Sequence, residues 1–237
     1  MFRATLSGMR VLLALFVLFA ASVASAQKLV SFPTEDGGLI FADLYGSGSK
    51  SPSGERAVVL VHGGQFDKTS WAPQAHILES AGFEVLAIDM RGRGQSKGPG
   101  DKDMMSAPLH LDVLAAVRYL HSNGAKAVSV IGASMGGGAA GDASIASKPG
   151  EIDRLVFLGA APYSSADKLK SPSLFLVARD DSNGDGPRLP GIQKQYDLAP
   201  DPKRLVVLNG SAHAQFLFQT DQADRVMHEI VSFLTPQ

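Results

Sequence analysis

The sequence predicts an α/β chain: a mostly parallel sheet with helices on both faces and an antiparallel hairpin at its N-terminal edge. Three observations carry this. Short continuous apolar runs such as Ala57-Val58-Val59-Leu60-Val61 read as strands buried on both faces. Longer stretches with apolar residues at helical spacing lie between them and stop at glycine. Near the N-terminus, two alternating runs flank Glu35-Asp36-Gly37-Gly38, which is a hairpin signal.

Taken in order, 28–33 and 39–45 are the hairpin strands, and 46–54 is a Gly/Ser/Pro surface loop. Residues 57–61 form a strand, 71–81 a helix stopped by Gly82, and 83–88 another buried strand. A helix over 109–122 places Leu111, Leu114, Ala115, Val117 and Tyr119 inward and stops at Gly124. The strand 127–131 leads into a small-residue helix over 135–147. Strands follow at 155–158 and 174–177, then a helix at 191–198, a last strand at 205–208 and a last helix at 221–234. No repeat or long linker interrupts the series, so residues 27–237 read as one domain. In such a sheet, chemistry gathers beyond the C-terminal ends of the strands.

Composition narrows the function. With 22 basic and 23 acidic residues there is no surplus of positive charge for nucleic acid to meet. The absence of cysteine removes disulfides, thiolate metal sites, iron–sulfur clusters and a Cys nucleophile together. The first ten residues carry Arg3 and Arg10 and no acid, and an unbroken apolar run over 11–20 follows. That run is short of the roughly 20 residues a spanning helix needs, and it leads to Ala24-Ser25-Ala26. Residues 1–26 therefore read as a secretory signal peptide cleaved after Ala26, which predicts a periplasmic or secreted protein without a lasting membrane anchor.

The chemistry-bearing motifs lie at the expected edge. Gly132-Ala133-Ser134-Met135-Gly136 joins a strand directly to a helix, and a sharp turn there lifts the Ser134 hydroxyl over the sheet. The same spacing at Gly94-Gln95-Ser96-Lys97-Gly98 lies in a Gly/Pro-rich loop with no helix behind it, so Ser96 reads as a loop serine. A serine nucleophile needs a base. Among six histidines, His213 in Asn209-Gly210-Ser211-Ala212-His213 follows the last strand and reaches that edge. The orienting acid is Asp180 or Asp181, which end the 173–179 strand; alternation alone does not separate them. Asp181, Asn183, Asp185 and Gly186 also match half of a calcium loop, but Ile192 stands where the bidentate Glu belongs, so a polar turn is expected and no metal. His62-Gly63-Gly64-Gln65 closes another strand; backbone N–H groups of Met135 and of Gly64 or Gln65 are the expected oxyanion donors, each worth about 3 kcal/mol in a transition state.

VLVHGGQ, Trp71, AIDMRGRGQS, GASMGGG, LFLVARDD and NGSAH, in this order over most of residues 57–235, resemble the α/β-hydrolases. In that family the acid stands three residues after a small strand-ending residue; here that residue is Ala178, so the resemblance favours Asp181. It implies that the stretch from Asp89 to Ser96 is structural, and that Ser134 excludes the branches with a Cys or Asp nucleophile. Only 159–172 separates the strand at 155–158 from the acid strand, too little for the helical cap many relatives insert there, so an open site is expected. The implied function is an exported serine esterase: Ser134 attacks, His213 takes its proton, Asp181 orients His213, and no cofactor is needed. Its partner would be a small-molecule ester, or else a lipid, thioester, peptide or polyester; a binding protein that kept the fold is the other reading. Phe66, Met104, Met105, Tyr163 and Phe216 are candidates for the pocket wall.

Overall fold

The computed structural model describes residues 27–46 and 55–235. The leader assigned to residues 1–26 and the loop 47–54 lie outside the described residues. No helix among the described residues is long and apolar enough to cross a membrane.

Strands β1 (Lys28–Pro33) and β2 (Leu39–Tyr45) pair antiparallel through the expected turn, and the Gly38 N–H donates to Thr34 Oγ1 at 2.7 Å. Then come β3 (Arg56–Val61), α1 (Ala72–Ser80), β4 (Glu84–Ile88), α2 (Leu109–Ser122), β5 (Ala127–Ala133), α3 (Met135–Ala146), β6 (Leu155–Leu158) and β7 (Ser173–Ala178). A two-stranded ribbon, β8 (Ser182–Asn183) and β9 (Gly186–Pro187), precedes α4 (Leu189–Leu198), β10 (Lys203–Leu208) and α5 (Ala223–Leu234).

Eight strands form one sheet in the order β1-β2-β4-β3-β5-β6-β7-β10. β2 meets β4 antiparallel, and every pairing from β4 to β10 is parallel. The hairpin thus lies at one edge, as the sequence predicts. The chain steps from β3 outward to β4 and then crosses to β5 on the other side, so β3 is the point where the winding reverses. Alternation along β3 sorts the core. Val59 and Val61 face a layer built with α2, α3 and α4, while Val58 and Leu60 face a layer built with α1 and α5. Both layers are buried and apolar, which is why these strands carry no polar alternation.

Differences from the sequence expectation are local. The helix expected from residue 71 is a 3-10 turn, Lys68–Trp71, capped by Asp67 accepting from the Thr69 N–H, followed by α1. β5 runs on to Ala133, so the strand delivers Ser134 itself. α4 starts two residues early because Pro190 sits in its first turn, where a missing N–H costs nothing. The β8–β9 ribbon and the 3-10 turns Ala166–Lys168 and Ala214–Gln219 have no counterpart in the sequence pattern. Between β6 and β7 the chain holds only the first of those turns.

Candidate active site

Ser134 joins β5 to α3 with φ 50° and ψ −117°, a conformation that strains any residue bearing a Cβ. Crowding imposes it. A Cβ on Gly132 would stand 2.5 Å from the Gly136 carbonyl oxygen, and one on Gly136 would stand 2.5 Å from that of Val61. The Ser134 N–H donates to the Leu158 carbonyl at 3.0 Å, which ties the turn to β6.

His213 follows β10 and faces the serine. Its Nε2 lies 2.8 Å from Ser134 Oγ, and its Nδ1 lies 2.7 Å from Asp181 Oδ2. The tautomer that satisfies both partners carries the proton on Nδ1, which leaves Nε2 to accept from the serine hydroxyl. Asp181 is fully buried, with its N–H donating to the Ala178 carbonyl at 3.2 Å, whereas Asp180 is exposed. The tight turn after β7 thus breaks the strand alternation under which the two acids are equivalent. Gly159, at the end of β6, makes room for the pair. Its φ is +57°, and a Cβ there would lie 3.0 Å from His213 Nδ1 and 3.2 Å from Asp181 Oδ2.

The segment after β3 borders the same serine. Gly63 is within 3.5 Å of the Ser134 Cβ, measured from a Cβ built on the glycine, and Gly64 likewise faces the Met135 side chain. The Gly63 N–H donates to Gln215 Oε1 at 2.8 Å, while its carbonyl accepts from the Phe66 N–H and from His62 Nδ1. The Gly64 carbonyl accepts from the Arg93 guanidinium. Among the described residues, the N–H groups of Gly64, Gln65 and Met135 have no acceptor. In a trans peptide the N–H opposes the carbonyl, so these engaged carbonyls leave the Gly64 and Gln65 donors pointing away from their grips. The Met135 N–H opens α3 and adds the positive end of its dipole.

Two buried groups brace this segment. His62 receives the Met90 N–H on Nε2 at 3.2 Å and donates from Nδ1 to Gly63, and burial pushes its pKa below the ordinary 6.5, so it is neutral. Gln215 spans the Gly63 N–H and Ser70 Oγ, the latter at 2.8 Å. Sequence reasoning misses Gln215 because its partners lie far away along the chain; the Ser-Ala-His loop itself is the only pointer.

Ser96 serves elsewhere. Its Oγ accepts from the Phe41 N–H at 2.8 Å, and it is buried. Asp89 receives Lys68, and Arg91 forms a two-pronged pair with Asp112, so the stretch around them is structural. Asn183 and Asp185 bond to each other at the ribbon turn, while the Asp181 carboxylate turns to His213; the half calcium loop does not converge. Among the described residues no cluster of three metal-ligating side chains occurs.

A cleft of about 660 Å³ opens over Ser134 and His213. Phe66, Met105, Tyr163 and Phe216 line it; Met104 instead packs against the core. Phe66 and Phe216 form a ring pair with centroids 5.1 Å apart, and Met105 and Tyr163 are exposed at the rim. Asn183, Asp185 and Arg188 supply a polar side from the ribbon.

A family model described as alpha/beta hydrolase fold matches residues 56–225. The chain belongs to the α/β-hydrolase fold family. Within this family it is similar to mouse protein phosphatase methylesterase 1, 29% identical over 137 residues that cover 57% of this chain and 34% of the relative. It is also similar to a non-heme haloperoxidase of Rhodococcus erythropolis, 32% identical over 130 residues, 54% of this chain and 42% of the relative. The chain spans about a third of the length of the methylesterases it matches. Among solved structures, a Pyrococcus furiosus esterase aligns with a TM-score of 0.70 at 20% identity, covering 89% of this chain and 90% of that one. An esterase from Exiguobacterium antarcticum aligns at 0.67 and 16% identity, covering 86% and 98%. At these identities the solved structures speak for the fold.

Proposed function

We propose that the protein is an exported serine hydrolase that cleaves carboxylic esters. The observation that carries this is the hydrogen-bonded row from Ser134 Oγ through His213 to Asp181, in an open cleft also lined by Gly64, Gln65 and Met135, whose N–H groups have no acceptor among the described residues. Ser134 Oγ attacks the ester carbonyl while His213 Nε2 takes its proton. The oxyanion that forms is held by the Met135 N–H and by that of Gly64 or Gln65. The intermediate collapses, His213 returns the proton to the departing alkoxide, and an acyl-serine remains. Water, deprotonated by His213, then releases the acid and restores Ser134. The methylesterase and esterase names of its relatives agree with ester chemistry. The apolar rim suits an apolar acyl or alcohol group. Export follows from the leader-like residues 1–26 and is checked by N-terminal sequencing of the periplasmic or secreted fraction, with Gln27 expected first.

The deciding test is hydrolysis of p-nitrophenyl esters from acetate to palmitate, with fluorophosphonate labelling alongside. The wild-type chain is expected to turn esters over and to take one label at Ser134. Ser134→Ala is expected to lose the label and at least about 10³-fold in rate. Labelling without ester turnover would point to another acyl substrate. Neither labelling nor turnover would point to a binding protein that kept the fold.

A further inference from the structure

The ribbon that follows β7 has a consequence for the acid. β8 and β9 fold residues 182–187 back on themselves, and the Arg188 N–H donates to the Asp181 carbonyl oxygen at 2.8 Å. This return sets the Arg188 side chain over the acid. Its Nε lies 3.4 Å from Asp181 Oδ1, while the opposite oxygen is taken by His213. Asp181 is fully buried, and Oδ1 has no hydrogen-bond partner among the described residues. A buried carboxylate with one oxygen unanswered is costly unless a counter-charge stands near. Arg188 is that counter-charge. Its side chain is 32% exposed and borders the same cleft as Ser134 and His213.

We propose that Arg188 is a positioning residue that acts through Asp181, moderating the negative field that the buried acid presents to His213. The proposal rests on the reading of Ser134, His213 and Asp181 as hydrolase machinery. A separation of 3.4 Å with no hydrogen bond makes the influence one of charge rather than of a clamp. A positive charge behind a carboxylate offsets part of the attraction that the carboxylate exerts on a positive charge forming on the neighbouring imidazole. The other charged group on this side of the cleft is Asp185, exposed at the ribbon turn and screened by water. Arg93 is engaged with the Gly64 carbonyl, and Asp180, whose N–H donates to the Gly210 carbonyl in the loop that carries His213, is exposed. No group other than Arg188 forms an ion pair with Asp181 besides His213 among the described residues.

The test compares wild type with Arg188→Gln, Arg188→Lys and Asp185→Asn. kcat/KM for a neutral p-nitrophenyl ester is followed from pH 5 to 9. Arg188→Gln is expected to move the acid limb upward by about half a pH unit or more, with KM little changed. Arg188→Lys keeps the charge and restores most of the position. Asp185→Asn is expected to shift the limb far less. An unmoved limb in Arg188→Gln, or an equal displacement in Asp185→Asn, overturns the proposal. So does an effect confined to KM, which would make Arg188 a substrate anchor instead. The His213 ring is titrated by NMR in the same proteins, assigned with His213→Ala, and this needs no turnover. If the wild type neither turns over esters nor labels, the hydrolase reading has failed; the midpoint of His213 in Arg188→Gln still rises if Arg188 acts on it and stays put if it does not. Melting curves of both Arg188 variants verify that the fold is retained.

Discussion

Ser134 and Ala214 are the two non-glycine residues with positive φ among those described, one bearing the hydroxyl that meets His213 and the other following His213 directly. Strain is held there by neighbours that have no room to relax, and Gly159 offers the most direct way to probe it. Replacing it with Ala puts a Cβ 3.0 Å from His213 Nδ1 in a backbone region that costs an L-residue about 1–2 kcal/mol. Gly159→Ala is therefore expected to push His213 from Asp181 and to lower kcat by roughly 10²-fold, with a smaller effect on melting. Unchanged kcat in a folded variant would mean the pair tolerates displacement. At this scale the sequence reveals what sits at strand ends. Ser134 follows β5 and His213 follows β10, and a strand-end position is readable from an apolar run. Asp181 needs the resemblance, since the turn that buries it is not coded by alternation. Arg188 and Gln215 are illegible because each works through a partner brought near only by a ribbon return or by contact between distant loops.

Elements are legible where one rule acts alone. α2 is bounded as its apolar spacing and Gly124 dictate, and β6 as its four-residue apolar run dictates. The ribbon escapes such reading because Asn183-Gly184 and Asp185-Gly186, both common turn pairs, carry the same side chains as a metal loop. α3 is the element whose sequence says least about orientation, since small residues surround it. Its glycines carry the information instead. The chain after β6 lies directly on the helix: a Cβ on Gly141 would come within 2.5 Å of Pro162 Cβ, and one on Gly138 within 2.4 Å of the Tyr163 ring. Gly141→Ala is thus expected to cost about 1–3 kcal/mol by overpacking, or some 3–10 °C in melting temperature for a chain of this size. Gly184→Ala, at the ribbon tip with nothing within 4 Å, serves as the control and is expected to stay within about 0.5 kcal/mol. Equal melting temperatures for the two would show that the segment after β6 moves aside freely.

At the scale of the molecule, buried charge ties the antiparallel edge to the parallel body. Arg91, fully buried, pairs with Asp112 of α2 and reaches Asp36 in the β1–β2 turn at 2.6 Å. The Arg91 guanidinium holds the Asp36 carboxyl down to about 2, against an ordinary 3.8. Unfolded Asp36 binds a proton before the folded one does. Its stabilising contribution, at most about 2 kcal/mol, is complete above pH 4 and is lost as pH falls toward 2. His62 acts in a higher window with the same sign. Burial lowers its folded value, so the unfolded chain takes up a proton below 6.5 that the native protein refuses, and stability declines as pH drops from there. Two separate acid-sensitive steps should therefore appear in urea unfolding followed from pH 7.5 to 2.5. Asp36→Asn is expected to be weaker at neutral pH yet flatter between pH 4 and 2. His62→Gln, which can still accept from the Met90 N–H, is expected to keep the lower step and to flatten the slope just below pH 6.5. If His62→Gln follows the wild-type slope there, the proton belongs to another histidine, and the segment bearing Gly63 and Gly64 does not depend on a neutral ring.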